Sequence, residues 1–289
     1  MLTRKTRRSE MGRHLTTLIR LTATLAMGAG LVSSCGHAAT PSAPPKQPER
    51  WPPTLSDLHF VWTAEPGIDL LSQPVVALRA YTESKALVAS GGSLDYLYPG
   101  FNRAVEPNAP PNMGNPYSTL SRYPEPGGDG KRLAGTALNH VLRIAETGRD
   151  VTVILCNWTY GAAWQQRDGM YRIQTPNAGA TAALVVERIS LLAPADRNLD
   201  VLAPQKGPSP YSLIDVFGGW KIVGSLWAFN TKGFTQEWKE WPEFPQDQAA
   251  CADRAPVSVE RREYLTSAER PRSDFPTLPS YPGWPVETK

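Results

Sequence analysis

The chain has 289 residues, of which 30 are basic and 27 acidic, and its formal net charge is +3 at pH 7. Six of the basic residues and one of the acidic residues lie in the first 34 positions, so the remainder holds 24 basic and 26 acidic residues. This slightly acidic balance lacks the electrostatic footprint of a nucleic-acid-binding protein, and we expect no nucleic-acid partner.

The N-terminal segment has the pattern of an export signal. Basic residues dominate 1–20, and the uncharged stretch LTATLAMGAGLV follows at 21–32. This apolar stretch is shorter than the roughly 20 residues that span a bilayer, and it is typical of a secretory signal peptide. An ordinary signal peptide with a cysteine nearby by chance is the alternative to a lipoprotein signal.

Val32-Ser33-Ser34-Cys35 resembles the bacterial lipobox, in which small residues precede a cysteine whose thiol receives a diacylglycerol. The resemblance implies a signal peptide over 1–34 and a mature chain that begins at Cys35. We therefore expect an exported protein that is anchored by lipid to the outer face of the cytoplasmic membrane.

Blocks of proline divide the rest of the chain. Because proline breaks helices and donates no hydrogen bond to a sheet, such blocks are typical of linkers and loops. They predict a tether over 35–56, a single folded domain over 57–241 with a Pro/Gly-rich insertion at 99–130, and a Pro-rich C-terminal tail over 242–289.

Three cysteines are present, and lipidation of Cys35 would leave an even pair. In an oxidising compartment the pair Cys156 and Cys251 predicts a disulfide, and two free buried thiols are the alternative. No His or Cys cluster has the spacing of metal ligands, and we expect no metal and no cofactor.

The first half of the domain shows two helical patterns. Residues 72–90 have an apolar stripe, Pro74 suits the first turn, and Gly91-Gly92 follows as a stop. A short helical turn is expected in SLDYLYPGF, at 93–101. Apolar residues at helical spacing also predict a helix over 131–148, with Gly148 as its stop.

The second half has strand patterns. Residues 150–164 and 181–194 are rich in β-branched side chains, and Asp168-Gly169 suits a tight hairpin turn. Residues 211–229 predict two strands around Gly218-Gly219. The sum is an α+β fold in which N-terminal helices pack on a curved, mainly antiparallel sheet of about five strands, with Pro-rich loops and a Pro-rich tail.

Two segments, SLDYLYPGF and GGWKIVGSLW, resemble the nuclear transport factor 2-like and SnoaL-like superfamily of cone-shaped α+β domains, which includes ketosteroid isomerases. The insertion and the tail depart from that pattern, and a small antiparallel sheet with helices of another topology is the alternative. The combination of lipobox, tether and compact domain also resembles the envelope lipoproteins of actinobacteria.

Aromatic side chains are the main candidates for a ligand site. Trp158, Tyr160 and Trp164 share parity in one predicted strand, so they would lie on one side of the sheet. They predict an aromatic cavity for an apolar ligand, and ordinary hydrophobic core is the alternative. Asp215, a carboxylate among apolar neighbours, is a candidate general base in that cavity or else an outward-facing strand residue.

The sequence favours a binding or scaffold role for an apolar ligand or an envelope protein. It has no G-x-S-x-G elbow and no phosphate-binding loop, and His59 and His140 are its two histidines within the domain. One alternative is a ketosteroid-isomerase-like or SnoaL-like enzyme, which requires a cavity with a carboxylate or histidine directed into it. Another is a structural or assembly lipoprotein that acts through its insertion and tail.

Overall fold

The computed structural model describes residues 51–105, 123–174, 179–197, 203–228 and 241–286. All of these residues belong to one compact unit. The predicted signal peptide, Cys35, most of the tether and the middle of the insertion lie outside the described residues.

The described residues form seven strands and four helices. In chain order they are β1 (Leu58–Ala64), α1 (Val75–Gly91), α2 (Phe101–Ala104), β2 (Leu133–Thr147), β3 (Asp150–Trp158), β4 (Ala162–Gln165), β5 (Tyr171–Arg172), β6 (Leu184–Leu192), β7 (Lys221–Ala228), α3 (Phe244–Asp253) and α4 (Val259–Ser267).

The strands form one curled sheet with the shape of a half-barrel, and the fold is α+β as predicted. The long strand β2 lies at its centre, with β1 parallel along one edge and β3 and β4 antiparallel along the other. β6 pairs with β3, β7 with β6, and the short β5 with β4, all antiparallel. β3 and β4 therefore act as one bent strand interrupted by a 3-10 turn.

α1 connects the two parallel strands β1 and β2, and it confirms the helix predicted at 72–90. The Gln73 side chain accepts a hydrogen bond from the Ala77 N–H (3.1 Å), which satisfies one free donor of the first turn. Gly92 ends the helix in the left-handed conformation with φ at 80°, a conformation that glycine adopts without steric cost.

The sheet is buried on both faces. One face packs against α1 in what we call the first core, which includes Phe60, Val153 and Ile189. The opposite face packs against the C-terminal segment in the second core, which includes Trp158 and Leu265. The sheet therefore lies between an N-terminal and a C-terminal layer.

The helix predicted over 131–148 is wrong, because this segment is the central strand β2. Ala137 and Val141 pack in the first core, whereas Leu138 and Leu142 pack in the second. A strand that is covered on both faces has no alternation of apolar and polar residues. A bulge next to Val141 shifts the register against β3, so the remaining pattern mimics the spacing of a helix.

The hairpin predicted around Gly218-Gly219 is also wrong, since residues 211–217 form no strand. Side chains in this segment bond to nearby backbone groups: Ser212 Oγ donates to the Ile214 carbonyl (2.9 Å), and Asp215 Oδ1 accepts from the Phe217 N–H (3.0 Å). Such local bonds compete with a strand ladder. β7 follows the glycines and pairs with β6 instead.

Two other strand predictions are confirmed. β6 lies within the predicted range 181–194, and Asp168-Gly169 lies in the turn that joins β4 to β5. The strand predicted at 150–164 is correct to Trp158, after which Thr159–Gly161 forms the 3-10 turn.

The segment predicted as a Pro-rich tail carries α3 and α4. Its prolines lie at helix boundaries rather than inside helices: Pro245 is in the first turn of α3, and Pro256 separates α3 from α4. Proline is tolerated there, because the first helical N–H groups have no partner within the helix. The end of the segment runs beside β1, where the backbone N–H of Trp62 donates a hydrogen bond to the backbone carbonyl of Tyr281 (2.8 Å).

Candidate functional site

A cavity of about 670 Å³ lies between the second-core face of the sheet and the C-terminal segment. We call it the tail cavity. Most of its wall is apolar, and this part consists of Val61, Leu138, Trp158, Pro256, Val257, Leu265, Pro276 and Leu278. Ligand pockets for small molecules have volumes of about 300–1,000 Å³ and predominantly apolar linings, and the tail cavity meets both criteria.

Hydrogen bonds hold the C-terminal segment over this cavity. Thr136 Oγ1 on β2 donates to the Pro276 carbonyl (2.7 Å) and accepts from the Leu278 N–H (3.0 Å). On the opposite side, Trp158 Nε1 donates to the Cys251 carbonyl (3.0 Å). The cavity wall is thus fixed to the sheet at two places.

A chain of polar groups lies at one end of the tail cavity. His140 Nδ1 is 2.8 Å from Thr63 Oγ1, and His140 Nε2 is 3.3 Å from Glu65 Oε1. Arg254 Nε donates to the same Glu65 oxygen. The His140 ring also stacks on Trp158, with 5.5 Å between ring centroids.

The electrostatics of this chain favour a neutral imidazole. Burial lowers the pKa of His140, although the Glu65 carboxylate acts in the opposite direction. The hydrogen bond from Arg254 lowers the pKa of Glu65, so that this carboxyl stays ionised. A proton on Nε2 of the neutral ring faces Glu65, which leaves Nδ1 to accept from the Thr63 hydroxyl.

A second cavity, of about 460 Å³, lies on the opposite face of the sheet against α1, and we call it the α1 cavity. Lys85 and Glu187 form an ion pair in its wall, with 3.1 Å between Nζ and Oε2. Burial alone would lower the pKa of Lys85, but the Glu187 carboxylate raises it above its ordinary value.

The α1 cavity also contains polar groups without a partner. Both amide atoms of Asn139 and the Thr82 hydroxyl are buried and make no hydrogen bond to the described residues. Asn139 is only 2% exposed. Unpaired buried polar atoms are costly, so this cavity suits a ligand with its own donors and acceptors.

The structure separates the four residues that the sequence grouped into one ligand cavity. Trp158 and Tyr160 line the tail cavity, and Trp158 also reaches the α1 cavity, whose wall includes Trp164. The shared parity fails because the 3-10 turn interrupts the predicted strand. Asp215 lines neither cavity: it forms an ion pair with Arg103 (2.7 Å), and its side chain is 40% exposed.

The structure joins Cys156 on β3 to Cys251 on α3 in a disulfide, as the cysteine count predicts. The two Cα atoms are 5.4 Å apart, and both residues are fully buried in the second core. The bridge holds α3 against the sheet beside the tail cavity.

Sequence reasoning missed the polar groups that meet at one end of the tail cavity. Glu65 and Arg254 are 189 positions apart and carry no local motif, so no spacing could indicate their contact. The sequence pattern predicts His140 at the margin of a helix, whereas the residue lies on the strand β2. The alternation of Thr136, Leu138 and His140 along one face of β2 was the available signal, and the helical spacing of the neighbouring residues hid it.

Two further observations concern the described residues only. None of the helices in the described ranges has the length and apolarity needed to cross a bilayer. Within the same ranges, no group of three or more His, Cys, Asp or Glu side chains is placed to hold a metal ion.

Comparison of the chain with protein-family models, with curated proteins and with solved structures finds no match.

Proposed function

We propose that this protein is a lipid-anchored protein of the cell envelope whose domain binds an apolar or amphipathic ligand in the tail cavity. The main support for ligand binding is the cavity itself, which has a volume of about 670 Å³ and a mostly apolar wall. The export and anchoring parts of the proposal rest on the signal pattern and on Cys35, which lies outside the described residues.

The ligand proposal is tested by filling the cavity. The full chain is extracted from its own envelope membranes, and native mass spectrometry records any co-purifying small molecule. Val257, which is half-buried and lines the tail cavity, is replaced by tryptophan. We expect Val257→Trp to lose the bound molecule, because the indole occupies the space of the ligand.

Leu94→Trp is the matched control, since Leu94 is 43% exposed and lines neither cavity. It should keep the co-purifying molecule. Equal retention by both variants, or a wild-type protein that carries no small molecule and takes up no uncharged apolar fluorescent probe, would refute binding in the tail cavity.

The anchor has a separate test. Cys35→Ala should abolish metabolic labelling with a fatty-acid probe, because the thiol is the atom that receives the lipid. Retained labelling in this variant would show that Cys35 is not the attachment site.

A second candidate function is catalysis of the ketosteroid-isomerase-like kind, and the position of His140 on the wall of the tail cavity favours it. Nδ1 of the neutral ring can accept a proton from carbon next to a carbonyl group when the Thr63 hydroxyl donates to its other acceptor, the Asn139 carbonyl (3.4 Å), instead. A β,γ-unsaturated ketosteroid is a direct probe, because its conversion to the conjugated ketone changes the ultraviolet absorbance.

Activity that disappears in His140→Gln and persists in His59→Gln would support this candidate. No conversion by the wild-type protein, or conversion that is unchanged in His140→Gln, would exclude His140 as the base.

A further inference from the structure

Arg262 is a buried arginine that forms no close ion pair with the described residues, although the Glu260 carboxylate is near enough to interact with its charge. It lies on α4, it is only 2% exposed, and its Nε and Nη1 atoms make no hydrogen bond to the described residues. Moving a charged group out of water costs far more than moving a neutral one, unless an opposite charge compensates. A buried guanidinium in this state therefore points to an anion that binds beside it.

Arg254 and Arg261, which line the tail cavity, differ from Arg262. Arg254 is paired with Glu65, and Arg261 is paired with Asp274. Their charges are already compensated by carboxylates of the chain. Of these three arginines, Arg262 is the one whose charge is not compensated by an ion pair with a described carboxylate, so it is the best candidate to bind an external anion.

The position of Arg262 connects it to the tail cavity. Arg262 and Leu265 are the two buried residues of α4, so both lie on the helix side that faces the sheet. Leu265 lines the tail cavity. Arg262 is not itself one of the lining residues, and Leu265, one helical turn further along α4, connects it to the cavity.

Tyr160 supplies a second polar group near Arg262. It lines the tail cavity, it is 2% exposed, and its hydroxyl has no hydrogen-bond partner among the described residues. Burial raises the pKa of Tyr160, and the positive charge of Arg262 is close enough to act in the opposite direction. The phenol is therefore protonated at neutral pH and can donate a hydrogen bond.

We propose that the ligand of the tail cavity is an anionic amphipath. Its carboxylate or phosphate end accepts hydrogen bonds from the Arg262 guanidinium and the Tyr160 hydroxyl, while its apolar part occupies the tail cavity. A guanidinium can form two parallel hydrogen bonds to either kind of anion. This inference rests on the proposed function and names the chemical class of its ligand.

The experiment compares probes that share one apolar chain and differ in their end group. Palmitate, the corresponding alkyl phosphate and palmityl alcohol are titrated into the full chain at neutral pH. Charge-assisted hydrogen bonds predict that one or both anions bind about tenfold to a hundredfold more tightly than the alcohol. The anion that binds more tightly identifies a carboxylate or a phosphate as the natural end group.

The variants separate the head site from the apolar cavity. Arg262→Met keeps the length of the side chain without its charge, and Tyr160→Phe removes only the hydroxyl. Both should weaken binding of the anions more than binding of palmityl alcohol, and so reduce the preference for the anion. Arg261→Met is the matched control on the same helix, and it should keep most of the preference because Asp274 already neutralises Arg261.

A measurement of stability makes the test independent of binding. Without ligand, Arg262→Met should unfold at a higher temperature than the wild type, because an uncompensated buried charge has been removed. Palmitate or the alkyl phosphate should raise the unfolding temperature of the wild type more than that of Arg262→Met. A lower unfolding temperature for ligand-free Arg262→Met would indicate a purely structural arginine and contradict the proposal.

The remaining outcomes are distinguishable. Equal binding of anions and alcohol, unchanged in Arg262→Met, would overturn this inference and leave the proposed function intact. Failure of all three probes to bind would count against both. Binding of acetate or inorganic phosphate as tightly as the long-chain anions would show a simple anion site and refute the amphipath.

Discussion

Glu83 is a fully buried carboxylate whose partners come from three distant parts of the chain. Its Oε1 atom accepts from Trp62 Nε1 (2.8 Å), and its Oε2 atom accepts from the Tyr98 hydroxyl and from Trp284 Nε1 (both 2.7 Å). Burial raises the pKa of Glu83, while the charge of Arg79, one helical turn earlier, acts in the opposite direction. These contacts join α1 to β1 and to the end of the chain.

Trp284→Phe should reduce the free energy of unfolding by about 1–3 kcal/mol, because a buried carboxylate loses one of its donors. Phenylalanine is smaller than tryptophan, so a cavity at this fully buried position adds to the cost of the lost hydrogen bond. Urea denaturation measures the effect. Tyr281→Phe, at a side chain that is 52% exposed in the same segment, serves as the control and should change stability little. Equal stability of the two variants would contradict the role given to Glu83.

His140 predicts how stability depends on pH. Its pKa in the folded protein is lowered by burial, so the unfolded chain binds a proton more readily than the folded chain. The stabilisation is therefore present above the unfolded pKa of about 6.5, and it is lost as the pH falls through that value toward the folded pKa.

The measurement is the urea unfolding free energy across this pH range in the wild type and in His140→Gln. The variant should lose less stability on acidification, and the difference between the two proteins removes contributions that they share, such as that of Glu83. His59→Gln should retain the wild-type profile. A wild-type profile in His140→Gln would assign the pH dependence to other groups.

Secondary-structure elements were predictable where their pattern is local. α1 has an apolar pattern, a proline before it and a glycine after it, and β6 is a run of β-branched and apolar residues. β2 was not predictable in this way, because packing on both faces and one bulge replace the alternation of an ordinary strand. The strand prediction for residues 211–217 was wrong for a local reason. Their composition favours a strand, but hydrogen bonds between side chains and nearby backbone groups prevent strand pairing.

The disulfide between β3 and α3 should contribute strongly to stability. It closes a loop with a sequence separation of 95, for which the loop-entropy model predicts about 4.7 kcal/mol. Replacement of Cys156 and Cys251 together by alanine should lower the free energy of unfolding by up to this amount. A thiol reagent should not label either cysteine in unfolded, unreduced wild-type protein, and labelling of both would show that the bridge is absent.

At the scale of the whole molecule, the C-terminal segment is part of the fold. Trp284 and Phe275 are fully buried. Trp284 lies in the first core, and Phe275 lies in the second core. The Arg79 guanidinium stacks on Trp284, with its Cζ atom 4.1 Å from the ring centroid. The segment that composition suggested as a tail therefore completes both cores and forms one wall of the tail cavity.

A chain that ends at Trp241 should lack a cooperative unfolding transition, because both cores lose buried aromatic side chains and the disulfide loses one cysteine. Near-ultraviolet circular dichroism during urea denaturation measures this. A chain that ends at Pro285 keeps Trp284 and should unfold like the full protein. Cooperative unfolding of the shorter chain with wild-type stability would show that 57–241 folds as a domain by itself.

Sequence patterns are sufficient to predict the α+β class, the helix α1, the strand β6, the Asp168-Gly169 turn and the pairing of Cys156 with Cys251. Each of these depends on neighbouring residues or on a simple count. The signal peptide and the lipid anchor at Cys35 are predictions of the same local kind.

Three features became visible only in the folded chain: β2 is the central strand, the C-terminal segment covers the second face of the sheet, and Arg262 is buried. The physical reason is that these features arise from contacts between residues far apart in the chain. Burial on two faces removes the periodicity that reveals a strand, and the environment of a charge depends on which distant elements cover it.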